Sequence, residues 1–446
     1  MPMTDTRTSR RQPRAKPGGL ARRDLTILLL GAACLQALAW AALLFLFSTG
    51  WMGYGLHQLS DTLLYQFYGV RFAMGHWPYA DVPVEYPPLA NLVFLVAPSG
   101  GWVAEYERWF STAMIVATVM AAVLTTAAAA AIWRSLGRAL AAAAVYAALT
   151  LACGALAVNR YDAMVALVVA TALLSLATGR QLPAAVSLGL GCALKLTPAL
   201  LLPVLLLLER TRRRRALVLT AFLLAAAVSF IPFLFHDWGS VAYPLTYHSA
   251  RPLQVESVPA TPWIFAALAG GDPQIVSTYG SQNFAGGPAD LVAMVSPWLA
   301  LLMVAAVYVL LWRRREMLRR RPELVPMAAL AILLVAVCAS KVLSPQFLIW
   351  TFPVVALAAV QRSWLAKASG IACLVATALT QVEFPARYWD LVALEPTPLA
   401  LVAARNIILL VAAALAVLTV VHGGSRRGEM ASETDTTGAE GTATSR

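Results

Sequence analysis

The chain has 446 residues, of which 60% are hydrophobic and only 13% are charged, and its formal net charge is +12 at pH 7. Soluble domains carry roughly 25% charged residues, so this composition excludes an ordinary soluble protein. The apolar residues fall in long runs, which predicts an all-α, polytopic integral membrane protein. The positive charge is concentrated beside these runs, which favours contact with membrane lipids and argues against a nucleic-acid partner.

The sequence contains no signal for a common cofactor. All five cysteines lie in apolar runs without a CxxC pair, so neither a disulfide framework nor a zinc site is predicted. No GxxxxGK[ST] motif occurs, and no GxGxxG follows a strand, so a cytosolic nucleotide ligand is not expected. We therefore predict no cofactor.

The first elements set the predicted orientation in the plasma (inner) membrane. Residues 1–23 contain seven Arg and Lys side chains and are predicted to be cytoplasmic. The next apolar run is too long for a signal-peptide core and has no evident cleavage site, so Leu25–Phe47 is predicted to be the first span. Residues 49–108 then form an external loop, the proposed catalytic loop, in which Pro88–Pro98 lies at the interface.

The rest of a membrane domain at 24–421 alternates apolar runs with basic or polar intervals. A second external loop is predicted at 236–289, and a disordered cytoplasmic tail at 422–446. We count about twelve membrane segments, two of them half-length, with both termini in the cytoplasm. The remaining spans are predicted at Trp109–Trp133, Ala139–Val158, Ala163–Ala177, Ala216–Phe235, Leu291–Trp312, Val325–Ala339, Phe347–Val360, Ala368–Val382 and Leu399–Val421.

Leu182–Leu208 does not fit a simple count. Its 27 residues are too few for two full spans, which need about 40. A single span would leave either Arg180 or the arginine cluster at 210–215 outside, against the positive-inside rule. A re-entrant hairpin and two short tilted half-helices both satisfy these constraints, with Lys195–Pro198 at the tip.

The first external loop contains three acids. Asp61, followed one helical turn later by Tyr65, could act as a general base for an acceptor hydroxyl, or could simply cap a helix. Asp81 and Glu85 could hold a metal or bind sugar hydroxyls, or could merely be solvated. The rigid segment after Glu85, Tyr86–Pro88, suits a positioning role. One histidine and two acids without strict spacing are a weak metal signal.

Cations outside the cytoplasmic intervals are few and therefore informative. Lys195 and Lys341 each end a short apolar segment and are followed by a proline, so both are expected at the outer ends of broken helices, facing a common cavity. A phosphate would satisfy them. The alternative is that they reach the headgroups along the membrane surface. Arg160 and Asp162 could form only a loop ion pair.

The second external loop groups hydrogen-bonding side chains in the interval Tyr247–Gln254 and at Glu256. Hydroxyl-rich ligands are bound by such groups together with aromatic faces, although an ordinary polar loop has the same composition. The residues we predict to contact substrates, with Asp61 as the catalytic base, are Tyr65, Tyr79, Asp81, Glu85, Tyr86, Arg160, Asp162, Lys195, His248, Arg251, Gln254, Lys341 and Gln346.

These motifs, taken in order, resemble glycosyltransferase family 87, the polyprenol-phosphate-mannose-dependent α-mannosyltransferases with the GT-C fold. The resemblance runs from about residue 55 to 360. Thr197 departs from it, because an aromatic residue is common there. The motifs are Asp61-x-x-x-Tyr65, Gly75-x-x-Pro-Tyr79, Glu85-Tyr-Pro-Pro-Leu89, Asn159-Arg-Tyr-Asp162, Leu194-Lys-Leu-Thr-Pro198 and Lys341-Val-Leu-Ser-Pro-Gln346.

The resemblance implies a catalytic aspartate at Asp61 and basic residues near the donor phosphate at Lys195 and Lys341. It also implies an inverting transfer from a polyprenyl-phosphate sugar to a lipid or glycan acceptor at the outer face, without an obligate metal. The alternative function is a transporter or flippase of lipid-linked sugar, with the same basic cavity and no chemistry. A non-catalytic assembly protein would explain neither Lys195 nor the acidic loop.

Overall fold

The structure is a computed structural model that describes residues 21–234 and 239–423. The predictions for the N-terminus up to residue 20 and for the tail from residue 424 lie outside these residues. The described chain is almost entirely helical, which confirms the all-α, polytopic class.

The elements are numbered in chain order. The helices of the first half are α1 (Arg22–Ser48), α2 (Thr62–Ala73), α3 (Pro88–Val93), α4 (Val103–Trp133), α5 (Leu136–Cys153), α6 (Asp162–Ala177), α7 (Gln181–Leu194), α8 (Leu202–Leu208), α9 (Arg212–Ala227) and α10 (Ile231–Leu234). Those of the second half are α11 (Tyr243–Ala250), α12 (Thr261–Leu268), α13 (Gly287–Arg313), α14 (Arg315–Arg320), α15 (Val325–Ala339), α16 (Phe352–Ala359), α17 (Trp364–Glu383), α18 (Tyr388–Val392) and α19 (Pro396–His422). The strands are β1 (Leu253–Gln254), β2 (Ile275–Thr278) and β3 (Ser281–Phe284). Short 3₁₀ segments lie at Gly154–Ala157, Thr197–Leu201, Ser240–Ala242, Val258–Ala260, Pro322–Leu324 and Pro345–Thr351.

Seven helical segments among the described residues are long and apolar enough to cross a membrane. The chain is therefore a multi-pass integral membrane protein. The predicted total of about twelve segments, and their orientation, stay predictions. The seven segments are Arg22–Ser48, Val103–Trp133, Leu136–Ala157, Gly287–Arg313, Pro322–Ala339, Trp364–Glu383 and Pro396–His422.

The centre of the bundle is α15. Every residue of this helix except Ala336 is buried, because α13, α16 and α19 pack around it. A helix that is apolar on all sides is stable only when it is surrounded in this way or faces lipid. The loops that follow α15 are consequently anchored to the most enclosed part of the protein.

Local sequence explains several helix boundaries. The side chain of Ser135 accepts a hydrogen bond from the backbone N–H of Arg138 at the start of α5, and Thr211 does the same for Arg214 at the start of α9. These contacts satisfy N–H groups that have no partner inside the helix. Other helices, including α3 and α19, have proline in their first turn, where its missing N–H costs nothing.

Leu182–Leu208 forms two short helical pieces with a break at Lys195. The backbone of Lys195 is extended, with φ −160° and ψ 136°. Pro198 has no N–H to offer the carbonyl of Leu194, four residues earlier, so the α7 hydrogen-bond pattern cannot continue. The Tyr161 hydroxyl takes over and donates to the Leu194 carbonyl oxygen at 3.3 Å. The prediction of a break at this tip is therefore right.

The predicted span Ala216–Phe235 is not one continuous helix, and its last residue lies outside the described residues. The helix begins earlier, at Arg212, and α9 ends at Ala227, before the separate turn α10. Pro232 supplies the physical reason, because it cannot donate to the carbonyl of Val228. A second boundary also differs: α4 starts at Val103 rather than Trp109, which shortens the first loop.

The second loop is folded rather than irregular. Three short antiparallel strands form a sheet of order β1-β3-β2, with Leu253 opposite Phe284 and Ile275 opposite the same residue. Leu253 and Phe284 are buried together with Leu399 and Val402 of α19. The loop therefore has a small apolar core of its own that rests on the C-terminal helix.

Candidate active site

Asp61 lies at the first boundary of α2, but its side chain does not cap that helix. Its Oδ2 atom instead lies 2.8 Å from Nε of Arg160 and accepts a hydrogen bond from the Tyr65 hydroxyl at 3.3 Å. The Asp61 side chain is 30% exposed, while that of Arg160 is only 6% exposed. The arrangement is a reachable carboxylate held against a buried cation, and not a helix cap.

Residues Asn159–Asp162 connect three distant parts of the chain. The Asn159 side chain donates to the Leu56 carbonyl oxygen at 3.0 Å, and Nη2 of Arg160 donates to that of Leu59 at 2.5 Å. These two contacts tie the turn to the first loop. Asp162 pairs instead with Lys195, at the break between α7 and α8, so the loop ion pair considered between Arg160 and Asp162 is not formed.

Lys195 is paired with Asp162. Its Nζ atom lies 2.5 Å from Oδ1 of Asp162, which also accepts a hydrogen bond from the Trp350 indole at 2.5 Å. The same ammonium lies 5.0 Å from the ring centre of Tyr161, 5.0 Å from that of Phe347 and 4.7 Å from that of Trp350. A carboxylate and three aromatic faces thus enclose this cation, which is neither isolated nor extended along the surface.

An aromatic cluster links the two ion pairs. The Tyr65 and Tyr161 rings are 5.9 Å apart, and the Tyr86 ring lies 5.8 Å and 5.4 Å from them. Tyr65 donates to Asp61, while Tyr161 faces Lys195. The candidate base and the candidate phosphate ligand therefore lie on one continuous set of packed side chains.

Glu85 is held by a tyrosine that the sequence analysis missed. The Tyr68 hydroxyl donates to Oε2 of Glu85 at 2.5 Å. Burial raises the pKa of Glu85, and this hydrogen bond opposes the rise. Glu85 is thus a partly buried acid with a fixed donor, which differs from the solvated loop acid considered as an alternative.

Two other predicted residues stabilise the loop itself. Oδ2 of Asp81 accepts a hydrogen bond from the Trp77 backbone N–H at 2.8 Å, and the Asp81 side chain is exposed. The Tyr79 hydroxyl donates to the Tyr86 carbonyl oxygen at 2.6 Å. Both contacts stabilise the turn between α2 and α3. Asp81 and Tyr79 therefore support the conformation of the loop.

The second loop covers the first. A ring nitrogen of His248 is 3.1 Å from the Glu85 carbonyl oxygen. Arg251 is buried and donates to the Ser281 hydroxyl at 3.0 Å. Burial lowers the pKa of Arg251, while Tyr247 and Tyr86, and to a smaller extent Glu85 and Asp61, act in the opposite direction. The two loops therefore bring their charged groups to one place.

Lys341 and Gln254 connect the segment that follows α15, residues 340–344, to the second loop. Nζ of Lys341 donates to the Ser249 carbonyl oxygen at 2.7 Å, so this lysine connects to the end of α11. The Gln254 side chain accepts from the Leu343 N–H at 2.9 Å. Gln346 is half-buried in the 3₁₀ segment next to Phe347, whose ring faces Lys195.

Three site residues could not be singled out from the sequence alone: Tyr68, Phe347 and Trp350. The sequence offers only one signal for them, their position near the predicted motifs. Phe347, for example, directly follows Gln346. Among the residues at 21–234 and 239–423, no group of three or more His, Cys, Asp or Glu side chains could hold a metal ion. A cavity of about 200 Å³ lies elsewhere, among Leu176, Arg210 and Val325.

The helices and this site define a multi-pass membrane protein with a charged, aromatic-lined centre, in which the two long loops meet the Asn159–Asp162 turn and the break at Lys195. The model of glycosyltransferase family 87 matches residues 85–345. The chain belongs to this family and is a membrane glycosyltransferase. Glu85, Asp162, Lys195 and Lys341 lie inside the matched range, whereas Asp61 precedes it.

The chain was also compared with solved structures and with curated proteins. Among solved structures, the crystal structure of ArnT from Cupriavidus metallidurans bound to undecaprenyl phosphate is similar. The sequence identity is 15%, the alignment covers 90% of this chain and 78% of that one, and the TM-score is 0.45. No curated protein matches this chain.

Proposed function

We propose that this glycosyltransferase moves a sugar from a polyprenyl-phosphate donor to a hydroxyl of a lipid or glycan acceptor at the outer face of the plasma membrane. The family resemblance implies mannose as the sugar and inversion at the anomeric carbon. The observation that carries the proposal is the pairing of a reachable carboxylate, Asp61, with Arg160, in the same turn that holds Lys195 through Asp162.

In the proposed reaction, Asp61 accepts the proton of the acceptor hydroxyl. The acceptor oxygen forms a bond to the anomeric carbon while the bond from that carbon to the phosphate oxygen breaks. The electron pair of the broken bond stays on the polyprenyl phosphate, which is a good leaving group and needs little acid assistance. One positioned base and a cationic environment are therefore a sufficient set of groups.

Lys195 is proposed to stabilise the leaving phosphate. An ammonium has three N–H donors, and the pairing with Asp162 uses one of them. The remaining donors are available to phosphate oxygens, and Asp162 keeps the ammonium oriented. Arg251, held by its hydrogen bond to Ser281, contributes positive charge from the second loop. Glu85 is proposed to bind sugar hydroxyls, with Tyr68 fixing its carboxylate.

The decisive experiment uses purified full-length protein in lipid. Polyprenyl-phosphate-mannose with a mixture of lipid and glycan acceptors should give a mannosylated product with α configuration. Movement of the donor between leaflets without product would favour a transporter and contradict the proposal. Transfer from a nucleotide sugar, with no transfer from the lipid-linked sugar, would contradict the proposed donor.

A further inference from the structure

A second charged cluster is buried beneath the second loop, and among the described residues it forms no ion pair with the charged residues of the candidate site. It consists of Glu256, which follows β1, Glu383 at the end of α17, and Arg405 in α19, each only 1% exposed. The proposed reaction uses none of these residues. Two acidic side chains and one cation buried together require an explanation, because an unpaired buried charge is costly.

The contacts leave three carboxylate oxygens of the cluster without a hydrogen-bond donor. Nη1 of Arg405 lies 3.8 Å from Oε1 of Glu256, and the Gln254 amide donates to Oε2 of Glu256 at 3.0 Å. In the part of the chain that the structure describes, neither oxygen of Glu383 has a hydrogen-bond donor, and Oε1 of Glu256 also has none. The two carboxyl groups lie within hydrogen-bonding reach of each other. A proton on one carboxyl group would give an oxygen of the other a donor and so pair two of these three oxygens.

Charge balance leads to the same result. If both acids were ionised, the cluster would carry a net charge of −1 in a place almost closed to solvent, and two carboxylates at hydrogen-bonding distance repel each other. With one proton on the pair, Arg405 balances the remaining charge. Burial raises the pKa of Glu256, and the nearby Arg405 cation offsets only part of that rise.

Several other groups act on the acids of this cluster through their charge. Tyr388 of α18 lies near both acids, and Cys338 of α15 lies near Arg405. Arg160 is the other cation whose charge reaches Glu256. None of these groups donates a hydrogen bond to Glu383 among the described residues.

The cluster is connected to the candidate site through named contacts. Glu256 orients Gln254, whose backbone N–H donates to the Lys341 carbonyl oxygen at 3.0 Å and whose side chain accepts from Leu343. Lys341 in turn donates to Ser249, next to His248, which contacts Glu85. Arg405 of α19 also donates a hydrogen bond to the backbone carbonyl oxygen of Glu256.

We propose that Glu256 and Glu383 share one proton, and that the protonated pair holds the second loop in place against α17 and α19, which makes Glu383 a positioning residue for transfer. This proposal deepens the proposed function and relies on it only for the activity measurement. Loss of the proton separates the two carboxylates, and the loop that carries Gln254 and His248 loses its attachment.

The pH dependence follows from proton binding. In the unfolded chain, glutamates titrate near 4.3, so the native pair binds one proton more than the unfolded chain at neutral pH. Stability therefore falls as pH rises between the unfolded and the native pKa values, and the stabilisation is lost above the native value. For one proton, the folded-to-unfolded ratio changes up to tenfold per pH unit in that range.

The test compares the wild type with Glu383→Gln, whose amide donates to Glu256 at every pH. The thermal unfolding midpoint of the purified protein in lipid is measured from acid to alkaline pH. It should decrease with rising pH for the wild type, and this pH dependence should be absent in Glu383→Gln. The transfer rate should lose its alkaline decline in the same variant. The matched control is Glu395→Gln, an exposed acid at the start of α19, which should keep the wild-type pH dependence.

An unchanged decline in Glu383→Gln would overturn the proposal. If that variant does not fold, infrared spectroscopy of the wild type serves instead. A protonated-carboxyl band should be present at neutral pH and titrate with the same midpoint as stability, and its absence would also overturn the proposal. A wild type that catalyses no transfer contradicts the proposed function, but the stability and infrared measurements still decide the shared proton.

Discussion

The Nε atom of Arg160 lies 2.8 Å from the Oδ2 atom of Asp61, although 99 positions separate the two residues in the chain. Arg160 also donates to the Leu59 carbonyl oxygen, so one side chain holds both the carboxylate and the backbone that precedes it. The buried cation thereby fixes where a proton could be accepted.

Asp61→Asn tests the proposed base. Asparagine keeps the size of the side chain but accepts no proton, so transfer should fall about 10²–10⁴-fold while donor binding persists. A helix cap would tolerate this change, because asparagine caps well. The measurement is the initial transfer rate of the purified variant. Asp81→Asn, which keeps the acceptor for the Trp77 N–H, is the control and should stay near the wild-type rate.

Arg160→Gln tests the positioning of that base. This change removes the ion pair with Asp61 and the charged hydrogen bond to the Leu59 carbonyl, a loss of about 1.5–3 kcal/mol, so transfer should fall roughly ten- to a hundredfold. Arg160→Lys should recover only part of the rate, since one ammonium cannot replace a fork that contacts Asp61, Leu59 and Asn159. Arg108→Gln, at an exposed position of α4, removes the same charge and should have little effect. Equal rates for both glutamine variants would contradict the role of Arg160.

Lys195 requires a design that separates binding from stability. Lys195→Ala should weaken donor use roughly ten- to a hundredfold, from a lost contact of about 1.5–3 kcal/mol. It also leaves Asp162 buried without its cation, which by itself destabilises the protein. The double variant Lys195→Met with Asp162→Asn removes both charges and should regain thermal stability without regaining donor use. Wild-type donor affinity in Lys195→Ala would rule out the phosphate role.

Gly191 should be intolerant of a side chain. A Cβ atom at this position would lie 2.5 Å from Cγ1 of Val168 and 2.9 Å from Cβ of Pro198. Gly191→Ala is therefore expected to cost about 1–3 kcal/mol and to displace the Lys195 break, whose N–H donates to the Gly191 carbonyl. Thermal unfolding and donor affinity should both decrease. Gly137→Ala, where a Cβ meets nothing within 4 Å, should be neutral or stabilising.

The outward orientation of the site can be tested by cysteine labelling in intact cells, in a Cys34→Ala background. Gln58→Cys and Asp272→Cys, at exposed positions of the two long loops, should react with an impermeant thiol reagent. Arg320→Cys, exposed in α14, should react only after the membrane is permeabilised. The reverse labelling would put Asp61 in the cytoplasm and refute the proposed outer-face reaction.

Much of the fold could be predicted because it depends on local sequence. Long apolar runs form helices in a membrane regardless of their neighbours, and α15 has the bounds predicted from the sequence, Val325–Ala339. The break at Lys195 was predictable from Pro198 and charge placement. Pro232 likewise indicates the interruption after Ala227. The prediction missed it because the whole interval is apolar.

The pairing of the charged side chains could not be predicted in the same way. The nearest acid to Arg160 in sequence is Asp162, yet the observed partners are Asp61 for Arg160 and Lys195 for Asp162. These pairs depend on how α2, α6 and α7 are packed, which no local pattern encodes. The β2–β3 hairpin was missed because its turn, Tyr279-Gly280, has positive φ at both positions without the usual Asn-Gly pair.

The Asn159–Asp162 turn has a thermodynamic consequence for two-substrate kinetics. Arg160 and Asp162, two positions apart in one turn, hold Asp61 and Lys195 respectively, so an acceptor that displaces the first pair should change the free energy of the second. Linkage makes this coupling reciprocal, so the donor alters acceptor affinity by the same factor as the acceptor alters donor affinity. Binding of the two substrates should therefore be interdependent in the wild type, and variants of Arg160 should weaken that interdependence.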